Sequence, residues 1–299
     1  MKFAALALAL LAPFSGWADG RAFDIDVPPD GPLAFRGALA ISPPSPEFAG
    51  LSGLDVGGGA IATMVSDKGG WARLRFLLED GWLTGVANIE TRPMLGKDGE
   101  ALQDEWLDAE DLARAPDGGY WVSFEHEQRL ALYDRDRAAP LREVRPDEWL
   151  DPAGNTGPEG LAIDPAGHLW AIREFPGPGE TAFPVLIYDG REWRRQSIPR
   201  TGPHGVTGAS FGPDGRLYLT MRSFSFVTGF EIQIRRLTWR DGEIAGDEVL
   251  LDLPAGSMID NIEGIDLWRE GGRTYLMVIS DDNGFLLQQN VLALFEVTG

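Results

Sequence analysis

Short apolar segments separated by turn residues recur along most of the chain. The clearest copy spans residues 159–174, which read EGLAIDPAGHLWAIRE and place a Pro-containing turn between two apolar runs. Similar segments begin at Ser52, Glu110, Thr207 and Glu263, so the spacing between copies is 48 to 58 residues. An internal repeat of this length is typical of folds built from repeated structural units.

Each copy predicts a β-hairpin, because two short runs rich in aromatic and β-branched residues flank a turn of the Pro-Asp-Gly type. Further strands follow within the repeats, for example at 185–188 and 193–198. About four strands in roughly 50 residues are what one blade of a β-propeller requires. No helical periodicity follows the N-terminal segment. The sequence therefore predicts an all-β propeller, with a sandwich or an irregular double barrel as the alternative.

The repeats leave the number of blades open between five and six. Five copies are visible, and a sixth blade could be assembled from strands at 23–41 and 291–297. Pairing the two ends of the chain within one blade would close the ring and remove an exposed strand edge. The sequence favours six blades, with five as the other count, and N- and C-terminal strands that close the ring.

The first 18 residues differ from the rest of the chain. A lysine at position 2 precedes an apolar run at 3–11, and the small residues Gly16 and Ala18 are typical of a signal-peptidase site. The apolar run is too short to span a bilayer. We expect residues 1–18 to be a signal peptide and residues 19–299 to form one propeller domain. The mature protein is then expected to be periplasmic or secreted.

Composition narrows the chemistry and the partners. The chain has no cysteine, which excludes disulfides and thiol catalysis. Its formal net charge is −20, and so acidic a surface repels nucleic acid and anionic lipid and attracts cations. We therefore expect a small-molecule ligand, no nucleic acid partner and no membrane span after the N-terminal run.

Two sets of repeat positions are predicted to meet at one end of the central channel, here named the channel mouth. In an antiparallel hairpin, the start of the first strand and the end of the second lie at the same end of the blade. The strand starts are Ser52, Glu110, Glu159, Thr207 and Glu263. The strand ends are Asp67, Glu125, Glu174, Arg222 and Asp281.

Most residues at the channel mouth are acidic, so their carboxylates must be solvated, protonated or bridged by cations. Carboxylate, amide and carbonyl oxygens suit Ca²⁺, with Mg²⁺ as the second choice. The candidate metal ligands are Glu110, Glu159, Glu174, Glu263, Asp281, Asp282 and Asn283. In the alternative interpretation, each glutamate only caps a turn and accepts backbone hydrogen bonds from the neighbouring blade.

His126 is the best candidate for proton transfer, because it is the one histidine inside a carboxylate cluster at a predicted strand end. Glu125 and Glu127 flank it. The sequence contains no P-loop, which disfavours a nucleotide enzyme, and it contains no His-Glu-x-x-His motif. We therefore take Glu125 and His126 as candidate catalytic residues.

Three further charged residues are candidates for catalysis at the channel mouth. Asp67 and Lys68 could present their charges to a ligand or only turn the chain. Arg222 is the one fixed cation among the repeat positions. It could bind a phosphate or carboxylate group, or act as the counter-ion of Glu174 and Glu263, and the pattern favours the counter-ion role.

The repeated Glu-Gly-Leu and Glu-Gly-Ile hairpins resemble the phytase-like family, named for the esterase-like activity of phytase. The segments SDKG at 66–69 and SDDN at 280–283 strengthen the resemblance, and the second is its most specific part. The likeness extends over nearly the whole mature chain, from Phe35 to Val297. It implies an exported propeller with phosphomonoester or ester hydrolase activity, and it assigns no catalytic residue.

A fainter likeness concerns residues 108–111, which read DAED and resemble the acidic motif of calcium-dependent propeller phytases. Leu112 and Ala113 stand where that motif has another acid and a proline. Because of this departure, we treat the match as a chance similarity unless metal binding is shown.

Three functions remain open from the sequence. The first is metal-assisted hydrolysis of phosphate or carboxylate esters, with Ca²⁺ at the channel mouth polarising the substrate and activating water. The second is a non-catalytic propeller that binds a ligand or a protein partner, since the fold does not determine the function. The third is a calcium-dependent lactonase.

Overall fold

A computed structural model describes residues 20–42, 45, 48–57, 60–146, 157–240, 242–259, 261–281 and 290–299. The predicted signal peptide and the candidate ligands Asp282 and Asn283 lie outside these ranges. The described residues form β-strands β1 to β21 and a short 3-10 helix at Asp104–Trp106. Within them, no helix is long and apolar enough to cross a membrane.

Four sheets each contain four consecutive antiparallel strands, as the blade prediction requires. The first blade comprises β3 (Leu51–Gly57), β4 (Ile61–Ser66), β5 (Gly70–Glu79) and β6 (Trp82–Pro93). The second comprises β7 (Ala109–Arg114), β8 (Tyr120–Phe124), β9 (Arg129–Tyr133) and β10 (Pro140–Val144). The third comprises β11 (Pro158–Ile163), β12 (Leu169–Arg173), β13 (Ala182–Tyr188) and β14 (Trp193–Pro199). The fourth comprises β15 (Gly205–Phe211), β16 (Leu217–Ser225), β17 (Gly229–Arg240) and β18 (Glu243–Leu253).

The fifth blade joins the two ends of the described chain. In sheet order, its strands are β1 (Arg21–Phe23), β2 (Leu33–Ile41), β21 (Asn290–Val297), β20 (Arg273–Ser280) and β19 (Ile262–Glu270). Strand β2 pairs with β21, so the terminal strands close the ring as predicted. Both ends join the blade that already carries the Glu263 repeat, and no strands among the described residues are left for another blade. The propeller therefore has five blades, which corrects the preference for six.

The first strand of each blade lines the central channel. Strands β3, β7, β11, β15 and β19 contact one another in cyclic order, and β19 contacts β3. Aromatic side chains pack between the blades: the ring centroid of Trp170 in the third blade lies 5.3 Å from that of Phe211 and 5.1 Å from that of Trp239 in the fourth. These contacts confirm the all-β propeller.

Every inner strand has a β-bulge near its start, where its register with the second strand shifts. The residue at the bulge is Glu159 in β11, Thr207 in β15 and Glu263 in β19. In β7 the bulge contains both Glu110 and Asp111. A bulge changes the direction of the side chain it carries. In four of the blades, the bulge thus coincides with the strand start predicted to lie at the channel mouth.

Asp111 stands where the other four repeats have glycine, at Gly53, Gly160, Gly208 and Gly264. Its buried carboxylate accepts backbone N–H groups of Leu112 at 2.8 Å, Leu161 at 2.7 Å and Ala209 at 3.3 Å. These donors belong to the inner strands of the second, third and fourth blades. Burial raises the pKa of Asp111 well above its usual range, although the three backbone hydrogen bonds oppose the shift. One side chain therefore connects three blades inside the channel.

The close approach of the inner strands explains the glycines at this repeat position. A Cβ atom added to Gly53 would lie 2.7 Å from the backbone nitrogen of Leu112, and one added to Gly264 would lie 2.8 Å from the carbonyl carbon of Gly53. Side chains at these two positions would force the inner strands apart.

We predict that Asp111→Ala strongly destabilises the propeller. The substitution leaves the N–H groups of Leu112, Leu161 and Ala209 without an acceptor in a buried channel, at a cost of about 1–3 kcal/mol for each unpaired group. We expect the free energy of unfolding, measured by urea denaturation, to fall by about 3 kcal/mol or more.

Asp189→Ala is the matched control, because the Asp189 carboxylate accepts two backbone N–H groups in an exposed turn. Water can replace that acceptor, so the loss should be much smaller. Similar losses in the two variants would contradict a bridging role for Asp111.

Candidate functional site

Backbone hydrogen bonds hold the two predicted sets of residues at the same end of the blades. In three blades, the residue at the end of the second strand donates its N–H to a carbonyl just before the inner strand. The bonds run from Asp67 to Gly50 at 2.9 Å, from Glu125 to Asp108 at 3.0 Å and from Asp281 to Asn261 at 2.9 Å. In these three blades, the predicted strand start and strand end therefore lie at the same end of the blade.

Arg222 lies among the acidic residues of the third and fifth blades. It forms an ion pair with Glu263, and its Nη2 atom lies 3.7 Å from Glu174 Oε1 and 3.9 Å from Glu159 Oε2. It also donates a hydrogen bond to Asn261 Oδ1. Burial lowers the pKa of the guanidinium, but the carboxylates raise it more, and the net shift is upward. These contacts support the counter-ion interpretation of Arg222.

Glu110, Glu159 and Glu263 come from three different blades and repel one another electrostatically. Burial is the main reason that the pKa values of Glu110 and Glu159 lie well above the usual range, and the neighbouring carboxylates add to the shift. Burial also raises the pKa of Glu263 to about 8, although Arg222 opposes the change. The fold thus concentrates carboxyl groups that retain protons near neutral pH.

His126 Nδ1 contacts a carboxylate oxygen of Asp108, and about half of the His126 side chain is exposed. Glu125 beside it is buried, and burial raises its pKa to about 7, with contributions from Asp108 and Glu174. Among the described residues, Asp108, Glu125 and His126 form the one group of three whose potential ligand atoms lie within 4.8 Å of one another. This group combines a histidine held by a carboxylate with a second carboxyl group.

The predicted metal ligands Glu110, Glu159, Glu174, Glu263 and Asp281 do not form a second group with this spacing within the described residues. Ligands of one calcium ion lie about 2.3–2.6 Å from it, so they must be close to each other. Their assignment as ligands therefore stays a prediction.

Asp67 and Lys68 lie at the edge of the channel mouth. Lys68 Nζ is 2.8 Å from Asp67 Oδ2, and its side chain is exposed. The hydrogen bond to Asp67 is the main cause of the raised pKa of Lys68, and the charges of Asp281 and Asp108 contribute. Lys68 therefore offsets part of the negative charge and faces solvent.

The channel mouth has a large excess of negative charge. Eight carboxyl groups meet there, from Asp67, Asp108, Glu110, Glu125, Glu159, Glu174, Glu263 and Asp281. Among the residues with described positions, Arg222 and Lys68 are the two fixed positive charges that contact them.

The family model described as "Phytase-like: Esterase-like activity of phytase" matches residues 46–284, which is most of the sequence. The chain belongs to the phytase-like family. No curated protein sequence matches this phytase-like chain significantly.

Solved propeller structures resemble this phytase-like protein at low sequence identity. The α-L-arabinofuranosidase PaAbf62A from Podospora anserina is 10% identical, with a TM-score of 0.51 over 90% of this chain and 98% of the other. Virginiamycin B lyase from Staphylococcus aureus is 10% identical, with a TM-score of 0.46 over 92% and 99%. Regucalcin from Agrobacterium tumefaciens is 14% identical, with a TM-score of 0.45 over 83% and 91%. The likeness to the arabinofuranosidase extends to the fold alone.

Sequence reasoning missed the roles of Asp108, Asp111 and Asn261 in this phytase-like propeller. Asp108 and Asp111 belong to the DAED segment. We did not use this segment to assign functional residues, because it departs from the phytase motif. Asp111 replaces the glycine of the Glu-Gly-Leu pattern, and this difference could have indicated that the residue has a distinct structural role. Asn261 lies before its repeat, and nothing in the sequence marked its contact with Arg222.

We predict that the chelated phytase-like protein loses stability as the pH rises from about 5 to 8. The pKa values of Glu125, about 7, and Glu263, about 8, exceed the usual 4.5, so the folded state binds more protons than the unfolded chain in this range. The free energy of unfolding contributed by these groups must then fall with rising pH. Urea midpoints measured in EDTA at several pH values test this directly.

Glu263→Gln should flatten this dependence, because the variant has no proton to lose at that position. Glu100→Gln, on an exposed turn after β6, should retain the wild-type dependence. Constant or increasing stability of the chelated wild type between pH 5 and 8 would contradict the prediction.

Proposed function

We propose that this phytase-like propeller is an exported hydrolase of phosphate or carboxylate esters, and that the reaction takes place at the channel mouth. The observation that supports the proposal is the contact between His126 Nδ1 and the Asp108 carboxylate, beside Glu125, a carboxyl group whose pKa is about 7. Export rests on the N-terminal sequence pattern, and the description of the family supports esterase-like activity.

His126 is suited to activate a water molecule. Asp108 holds the imidazole through Nδ1, which leaves Nε2 to accept a proton from water. Glu125 can donate or accept a proton near neutral pH, because its pKa lies close to 7. Together, these groups supply the two proton transfers of ester hydrolysis: one from the attacking water and one to the leaving oxygen.

The channel mouth also suits a divalent cation. Glu159 Oε2 is buried without a hydrogen-bond partner, and the guanidinium nitrogen of Arg222 is 3.9 Å away. To hold one ion together with Asp281, the carboxylates of Glu110, Glu159 and Glu263 would have to move closer to one another than they are in this structure. Such oxygen donors suit Ca²⁺ or, as the second choice, Mg²⁺. A bound cation would polarise the carbonyl or phosphoryl oxygen of the ester.

We predict that His126→Ala lowers kcat/KM for p-nitrophenyl acetate by about 100-fold or more, which is typical of the loss of a general base. Asp108→Asn should also lower it, because the imidazole loses its partner. The matched control is His168→Ala, since His168 pairs with Asp164 at 3.0 Å on the turn between β11 and β12, away from the channel mouth. The control should keep wild-type activity.

Cation binding has a test that does not depend on activity. Calcium titrated into the chelated protein should release protons, because the ion displaces them from carboxyl groups with raised pKa values. Calorimetry in two buffers with different ionisation enthalpies measures this release, and Glu159→Gln should weaken binding.

Folded protein that cleaves neither p-nitrophenyl esters, phytate nor a lactone, with or without calcium, would refute the proposed hydrolase. The non-catalytic binding propeller would then be favoured. Turnover of the lactone alone would favour the lactonase.

A further inference from the structure

The hairpin formed by β16 and β17 carries apolar side chains at the channel-mouth end of the fourth blade. Strand β16 continues from Arg222 to the hairpin tip, where Phe226 is 98% and Val227 is 92% exposed. The ring centroid of Phe224 lies 5.1 Å from that of Phe226 and 4.8 Å from that of Phe230. Contiguous exposed apolar side chains are a common feature of binding surfaces.

A pocket of about 450 Å³ lies beside this hairpin. Its apolar lining comprises Phe175, Pro203, Phe224 and Phe230, and it also contacts Glu174 and Arg222. The last two residues belong to the channel mouth, so the pocket is continuous with the proposed site. Its volume falls within the range of small-molecule pockets in proteins.

Two other pockets, of about 460 and 600 Å³, share no residue with the channel mouth. One lies on β13 and β14, and the other lies on the loop between β6 and β7. Of these three pockets, all lined by residues that the structure describes, the one beside the β16–β17 hairpin adjoins the mouth and can hold part of a molecule reacting there.

The charges around this pocket restrict what it can bind. Arg222 is already balanced by Glu159, Glu174 and Glu263, so it attracts a further anion only weakly. A polyanion such as phytate would meet a strongly negative mouth next to phenylalanine rings. A neutral ester with an apolar group avoids both problems, because the apolar group can enter the pocket without desolvating a charge.

We propose that this pocket binds the apolar acyl or aryl group of a neutral carboxylic ester whose ester bond lies at the channel mouth. The inference rests on the proposed function for the position of the ester bond. It adds the substrate class and the residues that select it, namely Phe175, Phe224 and Phe230.

The inference predicts a dependence on acyl chain length. In wild type, KM should decrease from p-nitrophenyl acetate to the butyrate and again to the hexanoate. The reason is that each added methylene group of the acyl chain is buried in the pocket and so removed from water. Phe224→Ser and Phe230→Ser should each weaken this trend and raise KM for the hexanoate by about tenfold, the size expected when a phenyl contact is lost. Leu141→Ser is the control, since Leu141 is an exposed apolar residue on β10 outside the pocket.

A binding measurement separates this inference from the proposed function. Hexanoic acid 4-nitroanilide is a neutral amide analogue, and its affinity can be measured by calorimetry. It should bind wild type and Leu141→Ser equally and Phe224→Ser about tenfold more weakly. If no ester is cleaved but the amide affinities differ between the variants in this way, the hydrolase proposal is wrong and the proposed binding of apolar groups in the pocket is supported.

Two results would overturn the inference while leaving hydrolysis intact. The first is ester cleavage with no chain-length dependence and equal amide affinities in Phe224→Ser and Leu141→Ser. The second is wild-type protein that self-associates in solution, becomes monomeric on Phe226→Ser and does not bind the amide, which would make the hairpin an interface between copies.

Discussion

The carboxylate of Asp111 is the constraint on which the rest of this propeller depends. It accepts backbone N–H groups from the inner strands of three blades, and the repeat glycines allow the strands to approach it. The inner strands are therefore held close around a narrow channel. The pocket among them has a volume of about 160 Å³, which is below the range of small-molecule sites, so we place the proposed reaction at an end of the channel. The bulges that start the inner strands place glutamates at one such end.

Closing the ring in this way creates an electrostatic problem. Several repeats begin with glutamate, and the repeats are arranged around one axis. The glutamate carboxylates therefore come together at the partly desolvated channel mouth. The fourth blade relieves part of the repulsion, because Thr207 and Arg222 occupy the two positions at which neighbouring blades carry acids. The Thr207 hydroxyl donates to the carbonyl of Ile262 at 2.7 Å, and Arg222 pairs with Glu263. Burial, together with the remaining repulsion, raises the pKa values of these carboxyl groups, so that they retain protons near neutral pH.

The sequence was sufficient to predict the blade unit, the closure by chain ends and the two sets of residues that meet at the mouth, because strand periodicity and hairpin geometry depend on local spacing. The number of blades was not predictable, since the terminal segments could pair with an existing blade or form a new one, and only long-range pairing of β2 with β21 decides this. The partners of Arg222 and His126 depend on side-chain directions across blades and bulges. Spacing alone does not determine those directions, so the counter-ion role was one of two interpretations and Asp108 was overlooked.

The channel mouth departs from five-fold symmetry in a way that bears on the proposed chemistry. The residues proposed for proton transfer belong to the second blade, where Asp108, Glu125 and His126 lie together. Its apolar pocket lies between the third and fourth blades, where Phe175, Phe224 and Phe230 adjoin Arg222. A purely symmetric ring of acids would attract cations without distinguishing one end of a substrate from the other. Because one side of the mouth is polar and titratable and the other is aromatic, an elongated ester would be oriented across it, with its reacting group over the carboxyl groups.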